Sequence, residues 1–451
     1  MAQNTTNLGE GKISSLLIKL SLPAIIAQLV NLLYNIVDRI FIGRMPGGEI
    51  AMAGVGVAFP IIMIVSAFSA LVGMGGAPLA AIKMGEGDDD GAEQILTNSF
   101  SVLIIMSIIL TAVVLIFKEP ILWAFGASDA TIGYALSYLG IYIIGTISVQ
   151  IALGMNPFIN TQGFAKVGMT TVIIGAIINI ILDPIFIFGF DMGVKGAALA
   201  TVIAQTASAL WVVRFLLQKN TKLKIKRQYI KPKMSIVKNT LALGVSPFVM
   251  QSTESLVLIS LNNMLMIHGG DLAVGAMTIM SSIMQIILLP MMGLSQGAQP
   301  IISYNYGAGH IDRVKETFKL LFKLSVSYTT IMWLLILTIP QVFVSIFNND
   351  PELMRVATWS MRIYFAGIFA FGAQTACQQT FLALGKAKIS LILALLRKIV
   401  LLIPLIFILP VFIENQMLGV LLAEPIADVL AATATILTFR MFYKVALVKK
   451  F

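Results

Sequence analysis

Twelve long apolar runs, separated by short polar or basic turns, make up almost all of this chain. They cover residues 14–43, 51–83, 94–117, 130–161, 166–190, 193–218, 236–267, 272–304, 313–346, 352–384, 388–412 and 416–444. A membrane-spanning helix needs about 20 predominantly apolar residues, and every run meets that length. The runs are continuous rather than alternating, which excludes a transmembrane β-barrel. The first, from Ile13 to Ile42, is far longer than the apolar core of a signal peptide and is expected to remain as the first helix. The pattern predicts an all-α integral membrane protein with twelve transmembrane helices.

Composition agrees. Of 451 residues, 58% are hydrophobic and 12% charged. A soluble domain carries about 25% charged residues. The net charge of +10 would suit nucleic acid, but its distribution points to topology instead. With both termini placed in the cytoplasm, 23 of the 31 Lys and Arg face inward, six face outward, and Arg397 and Lys398 fall within a span. The densest basic stretch, Lys219 to Lys238, links spans six and seven and is placed to touch anionic lipid. No nucleic-acid partner is expected.

That linker separates two similar halves: residues 1–218 (spans one to six) and 239–451 (spans seven to twelve), joined by 219–238. Leu20-Ser-Leu-Pro23 is echoed by Leu243-Gly-Val-Ser-Pro247, and Thr161-Gln-Gly-Phe-Ala-Lys166 by Ala383-Leu-Gly-Lys-Ala-Lys388. Gly196-Ala-Ala-Leu-Ala-Thr201 is echoed by Gly419-Val-Leu-Leu-Ala-Glu424. Six spans per half is an even number, so the halves point the same way. A pseudo-two-fold along the membrane normal then relates them, with substrate expected between them near the midplane.

Five acids interrupt the apolar runs: Asp38, Asp183, Glu254, Glu424 and Asp428. A charge at bilayer depth costs about 2.5–3.5 kcal/mol on insertion scales, and such acids usually line an ion or substrate path. Tyr34 and Asp38 are four apart on one face of span one. Asn179 and Asp183 are four apart on span five. With Thr201 on span six and Asn156 on span four they form an expected oxygen-rich cluster for Na⁺ or H⁺. The alternative is that each acid is hydrogen-bonded locally and only shapes helix packing. Pro23 and Pro184 lie inside helices, where each removes a backbone hydrogen bond and marks either a moving or a static kink.

The second half carries Glu254 on span seven and Glu424 and Asp428 four apart on span twelve. Arg397 and Lys398 are expected to pair with Glu424 or Asp428. Met277, Met280, Met284, Met291 and Met292 crowd span eight, where polarizable side chains suit either variable apolar ligands or ordinary packing. Cys377 is the single cysteine, so no intramolecular disulfide forms. His268 and His310 have no second His or Cys at metal-ligand spacing. GxxxxGK[ST] and HExxH are absent, and with no nucleophile–base pair the chain is not expected to be an enzyme.

Two six-span halves, Pro23 fifteen residues before Asp38, and the run Asn179-Ile-Ile-Leu-Asp183-Pro184 resemble the multidrug and toxic compound extrusion (MATE) family, nearest its bacterial MepA-like group. The resemblance covers nearly the whole chain. It implies a V-shaped pair of lobes that opens alternately inward and outward, and a monomer in the plasma membrane with cytoplasmic termini. It also implies coupling of H⁺ or Na⁺ at residues matching Tyr34, Asp38, Asn156, Asn179, Asp183 and Thr201, and no other cofactor. The expected cargo is small amphipathic organic cations, including drugs, touching Glu254, Met284, Met291 and Gln374. The sequence departs from the NorM-like branch at span ten, where Gln374, Gln378 and Gln379 replace an Asp, so Glu254 is assigned to cargo rather than to a second cation site. The alternatives are a lipid-linked oligosaccharide flippase of the same superfamily, which usually has fourteen spans and a basic cavity, and a channel.

Overall fold

A computed structural model describes residues 7–218, 221–347 and 350–444. Lys219, Lys449 and Lys450 of the basic tally lie outside them, as do the chain termini. Every regular element among the described residues is helical. The first half consists of α1 (Ile13–Arg44), α2 (Gly48–Gly85), α3 (Asp89–Ala124), α4 (Ile132–Thr161), α5 (Ala165–Gly189) and α6 (Val194–Leu216). The second half opens with one continuous helical run, Met234–Gly307. Gly270, at φ 64° and ψ −163°, breaks it into α7 (234–269) and α8 (271–307). That backbone conformation is open only to glycine, so the two spans join by a sharp corner with no loop. Then follow α9 (Ile311–Thr338), α10 (Pro351–Ala383), α11 (Ala387–Phe412) and α12 (Gln416–Phe442).

The twelve helices match the apolar runs, with two differences at the ends. The ninth run stops early: Ile339 leaves the helical region (φ −129°, ψ 49°), and a six-residue helix, Pro340–Ser345, follows. Proline disfavours helix in the residue before it. The third helix reaches seven residues beyond its apolar run, to Ala124. At its start Asp88 caps it by accepting a hydrogen bond from the Gly91 amide.

The repeat is visible in irregularities as well as in helices. Positive-φ glycines occur at 87 and 309 and at 163 and 385, and 3₁₀ turns begin at 143 and 365, each pair 222 residues apart. α5 and α11 each widen into a π turn, Ile185–Gly189 and Leu396–Leu402.

The linker between the halves is a strap tied to the first. Side chains of α3 and of Gln162, the residue after α4, satisfy its backbone: the amides of Leu223, Lys224, Lys226 and Lys233 donate to Gln162, Glu93, Thr97 and Asn98. Asn98 and Ser101 donate to the carbonyls of Tyr229 and Ile230. Glu93 and Asp90 hold the Lys226 ammonium pKa above the ordinary lysine value, and Lys226 draws Asp90 below the usual carboxylate range. Residues 234–238 of the expected linker are already the first turn of α7.

The lobes meet along α1 and α2 against α7 and α8, at the end that carries the basic residues. Gly75 of α2 abuts Gly244 of α7: a Cβ on Gly244 would sit 1.7 Å from the Leu71 carbonyl oxygen, and one on Gly75 2.2 Å from that of Thr240. Gly85 of α2 and Gly307 of α8 make a similar close approach about three turns further along α2. Small residues at such crossings let backbones approach closely, where packing rather than water drives association. Arg313 of α9 finishes the seam by donating to the carbonyls of Gly11 and Glu10. Phe68 and Phe248 meet across it, ring centroids 4.9 Å apart. Beyond them the lobes separate, and Glu254, mid-span on α7, has 64% of its side chain exposed.

Candidate functional site

The first half brings Tyr34, Asp38, Asn179, Asp183 and Thr201 together. The carboxyl groups of Asp38 of α1 and Asp183 of α5 are neighbours close enough for their charges to interact. Asn179 Nδ2 lies 3.3 Å from both Asp183 Oδ1 and Thr201 Oγ1, and so bridges α5 to α6. The four-residue spacing of Asn179 and Asp183 puts both on the face of α5 that meets α1 and α6. Asp183 is fully buried and Asn179 nearly so. Asp38 Oδ1, Asp183 Oδ2 and Asn179 Oδ1 have no hydrogen-bond partner. Three buried, unpartnered oxygens converging on two carboxyls suit a proton or a small hard cation, since a buried acceptor left empty is costly.

Two corrections apply. Asn156 is not part of the acid cluster. It donates to the Gly168 carbonyl, eleven residues before Asn179 and therefore about 16 Å nearer the basic end of α5. It lines the lower part of a cavity of about 180 Å³ whose upper part includes Tyr34, Asn179 and Thr201. In place of Asn156 the structure supplies Tyr138 of α4, buried beside Asp38 and Thr201, with Tyr142 stacked on it at 6.1 Å. The four-residue spacing of these tyrosines was the available signal. α1 runs unbroken through Pro23, whereas Pro184 stands where α5 passes into its π turn.

The second half holds a different constellation. Arg397 donates from Nε to Asp428 Oδ1 and from a terminal nitrogen to Glu424 Oε1, both at 2.8 Å, and its guanidinium lies over the Phe371 ring. Lys398 pairs with Glu254 and donates to the Met250 carbonyl, not with Glu424 or Asp428. Adjacent residues on an ordinary α-helix point about 100° apart. The π turn of α11 begins at Leu396, and both basic side chains are buried. π turns of this kind recur at functional sites.

Of the four residues expected to touch cargo, only Glu254 reaches the opening. Residues 277, 280, 284, 287 and 291 are spaced three and four apart, one face of α8, and that face packs into the second lobe. Met291 is 2% exposed, and Met284 packs against the lobe core. Gln374 is buried, its Oε1 unpartnered. Met292, one position on, is the exposed methionine.

Arg397 makes the network sensitive to truncation. Removing one partner of a buried ion pair costs about 3–5 kcal/mol, because the other charge stays buried and uncompensated. Arg397→Met is therefore expected to lower the melting temperature in detergent strongly, and Arg397→Met with Glu424→Gln and Asp428→Asn to regain most of the loss. An unchanged melting temperature for the single variant would contradict this account.

A family profile described as MatE matches residues 23–185 and 248–408, one stretch in each half. The multidrug export protein MepA of Staphylococcus haemolyticus (strain JCSC1435) is 26% identical over 400 residues, covering 89% of this chain and 88% of that protein. MepA of Staphylococcus aureus (strain N315) is 26% identical over 420 residues, 92% of this chain and 91% of that one. Among solved structures, a MATE crystal structure in the bent conformation superposes with TM-score 0.92 at 24% identity, covering 99% of both chains. An outward-facing MATE family transporter of the MOP superfamily gives 0.91 at 23%, covering 99% of this chain and all of that one. The matched stretches make up well over half of the sequence and fall on the two lobes, and the chain belongs to the MatE family.

Proposed function

We propose that this protein is a multidrug efflux antiporter of the plasma membrane, exporting amphipathic organic cations by alternating access in exchange for H⁺ or Na⁺. The observation that carries the reading is the Asp38–Asp183 contact. Asp38 Oδ1 and Asp183 Oδ2 are buried with no hydrogen-bond partner, so a proton or a small cation between the two carboxyls would satisfy both. Deprotonated, the pair repels itself unless a cation takes the proton's place. Either way the cluster binds one positive charge. Export of multiple drugs is taken from the names of the MepA relatives.

The positive-inside distribution places the closed, basic end and both termini in the cytoplasm. The described conformation is then outward-facing, with Glu254 presented to the outside. The coupling ion is the only cofactor in this reading, and the working unit is a monomer. Loading Asp38 and Asp183 from outside favours one facing state, and an organic cation favours the other. A ligand shifts such an equilibrium only by its differential affinity for the two states.

The test is ethidium transport by the purified protein in liposomes under an imposed pH gradient or an imposed Na⁺ gradient. Uptake driven by the pH gradient and collapsed by a protonophore is expected. Uptake driven only by Na⁺ would reassign the ion, and no cation movement under either gradient would overturn the reading.

A further inference from the structure

Five ionisable groups of the second lobe form one connected chain from the open cleft to the lobe interior. Glu254 is at the cleft surface, 64% exposed. Behind it Lys398 has only 6% of its side chain exposed. Arg397, its neighbour in sequence, is fixed between Glu424 and Asp428. Three carboxyls stand against two cations. A lobe interior facing lipid on its outside tolerates no uncompensated charge cheaply, so the set is neutral when it holds one proton. Glu424 is the member with a free position: its Oε2 is buried and has no hydrogen-bond partner, whereas its Oε1 is taken by Arg397. The charged and titratable groups around Glu424 are Arg397 and Lys398 of α11, Asp428 of α12, Glu254 of α7 and Tyr364 of α10.

We propose that Lys398 is a tethered counter-ion which a cationic cargo displaces from Glu254, and that the displaced ammonium swings to Glu424, which releases one proton. Charges balance at each stage. Before binding, Glu254⁻ is paired with Lys398⁺ and Glu424 is neutral. Afterwards Glu254⁻ is paired with the cargo cation, Lys398⁺ with Glu424⁻, and one H⁺ has left the lobe. No bond other than the Glu424 O–H is broken. The lysine can make the move because its ammonium sits on a flexible four-carbon stem, unlike the planar fork of Arg397, which stays with Asp428. Lys398 already lies within the electrostatic reach of Glu424. The consequence is that the second lobe exchanges cargo for a proton by itself, separately from the Asp38–Asp183 pair. Lys398 thereby sets the affinity threshold that a cation has to exceed, which selects against weakly attracted ones.

This inference rests on the cation-export reading of Glu254, and the test separates the two. The probe is tetraphenylphosphonium, which is permanently charged and carries no ionisable proton. Binding and proton release are measured together by calorimetry in two buffers of different ionisation enthalpy at pH 7. The full-length protein is used in detergent, in an Asp38→Asn background that silences the first lobe. With Lys398 and Glu424 intact, about one proton is expected to leave per bound probe. Lys398→Met is expected to bind roughly tenfold more tightly, since the internal competitor is gone, with no proton release. Glu424→Gln is expected to bind without proton release. Lys398→Gln gives the same result as Lys398→Met if the methionine variant proves unstable. Equal affinity and equal proton release in all variants would overturn the inference while leaving cation binding in place. Failure of every form to bind the probe would instead overturn the export reading itself.

Discussion

Asp38→Asn is expected to cut pH-driven ethidium efflux by about 5–150-fold, the span of a coupling free energy of 1–3 kcal/mol. The substitution is nearly isosteric, and the new amide can still donate to the Asp183 carboxylate, so the α1–α5 contact survives. What is lost is a group that takes up and gives back a proton. Because Asp38 and Asp183 are neighbours whose charges interact directly, their losses do not add. Asp183→Asn alone, Asp38→Asn alone and the double variant are expected to transport at similarly low rates. Efflux compared at matched membrane content, together with retained binding of a cationic dye, checks this. A double variant far worse than either single one would mean that the two acids act at different steps. Full efflux in Asp38→Asn would move coupling out of the first lobe.

The fold could be read in the sequence because lipid imposes a simple constraint: every spanning segment has to satisfy its own backbone, so length and hydropathy decide. Even the corner at Gly270 fell between two correctly separated runs. The acid cluster was legible for a related reason, since Asp38 and Asp183 are costly enough in an apolar run to stand out, and their partners at four-residue spacing follow from helix geometry. What failed was depth and facing. Asn156 was placed with the acids from its span alone, but its position on α4 is opposite Gly168, well toward the basic end. Met284 and Met291 read as a flexible wall for cargo, while the three–four spacing they share with Met277 and Met280 marked a buried face. The partnering of Lys398 with Glu254 was not readable either. It comes with a π turn of α11, a local change of helical pitch that no hydropathy pattern encodes.

Gly244→Val is expected to stop transport for a reason unrelated to ion binding. A Cβ at this position would lie 1.7 Å from the Leu71 carbonyl oxygen, a backbone atom that no rotamer change can move. The seam between α2 and α7 then cannot close, whereas the cores of the two lobes do not depend on it. Overpacking of this kind costs about 1–3 kcal/mol, and here the cost falls only on the state in which the basic end is shut. The population of that state should drop by roughly 5–150-fold, and the cycle stalls with the cleft open to the cytoplasm. Spin labels at exposed positions on the two sides of the seam, Lys222→Cys and Lys319→Cys in a Cys377→Ser background, report the change as a longer inter-lobe distance. Gly75→Val, which meets the Thr240 carbonyl from the facing helix, should give the same distance and the same loss of efflux. The Asp38→Asn variant should lose efflux without the longer distance, because its lesion is in the ion and not in the hinge. Unchanged distances with normal efflux in Gly244→Val would show that the seam yields without separating, and that the lobes do not move apart at this contact.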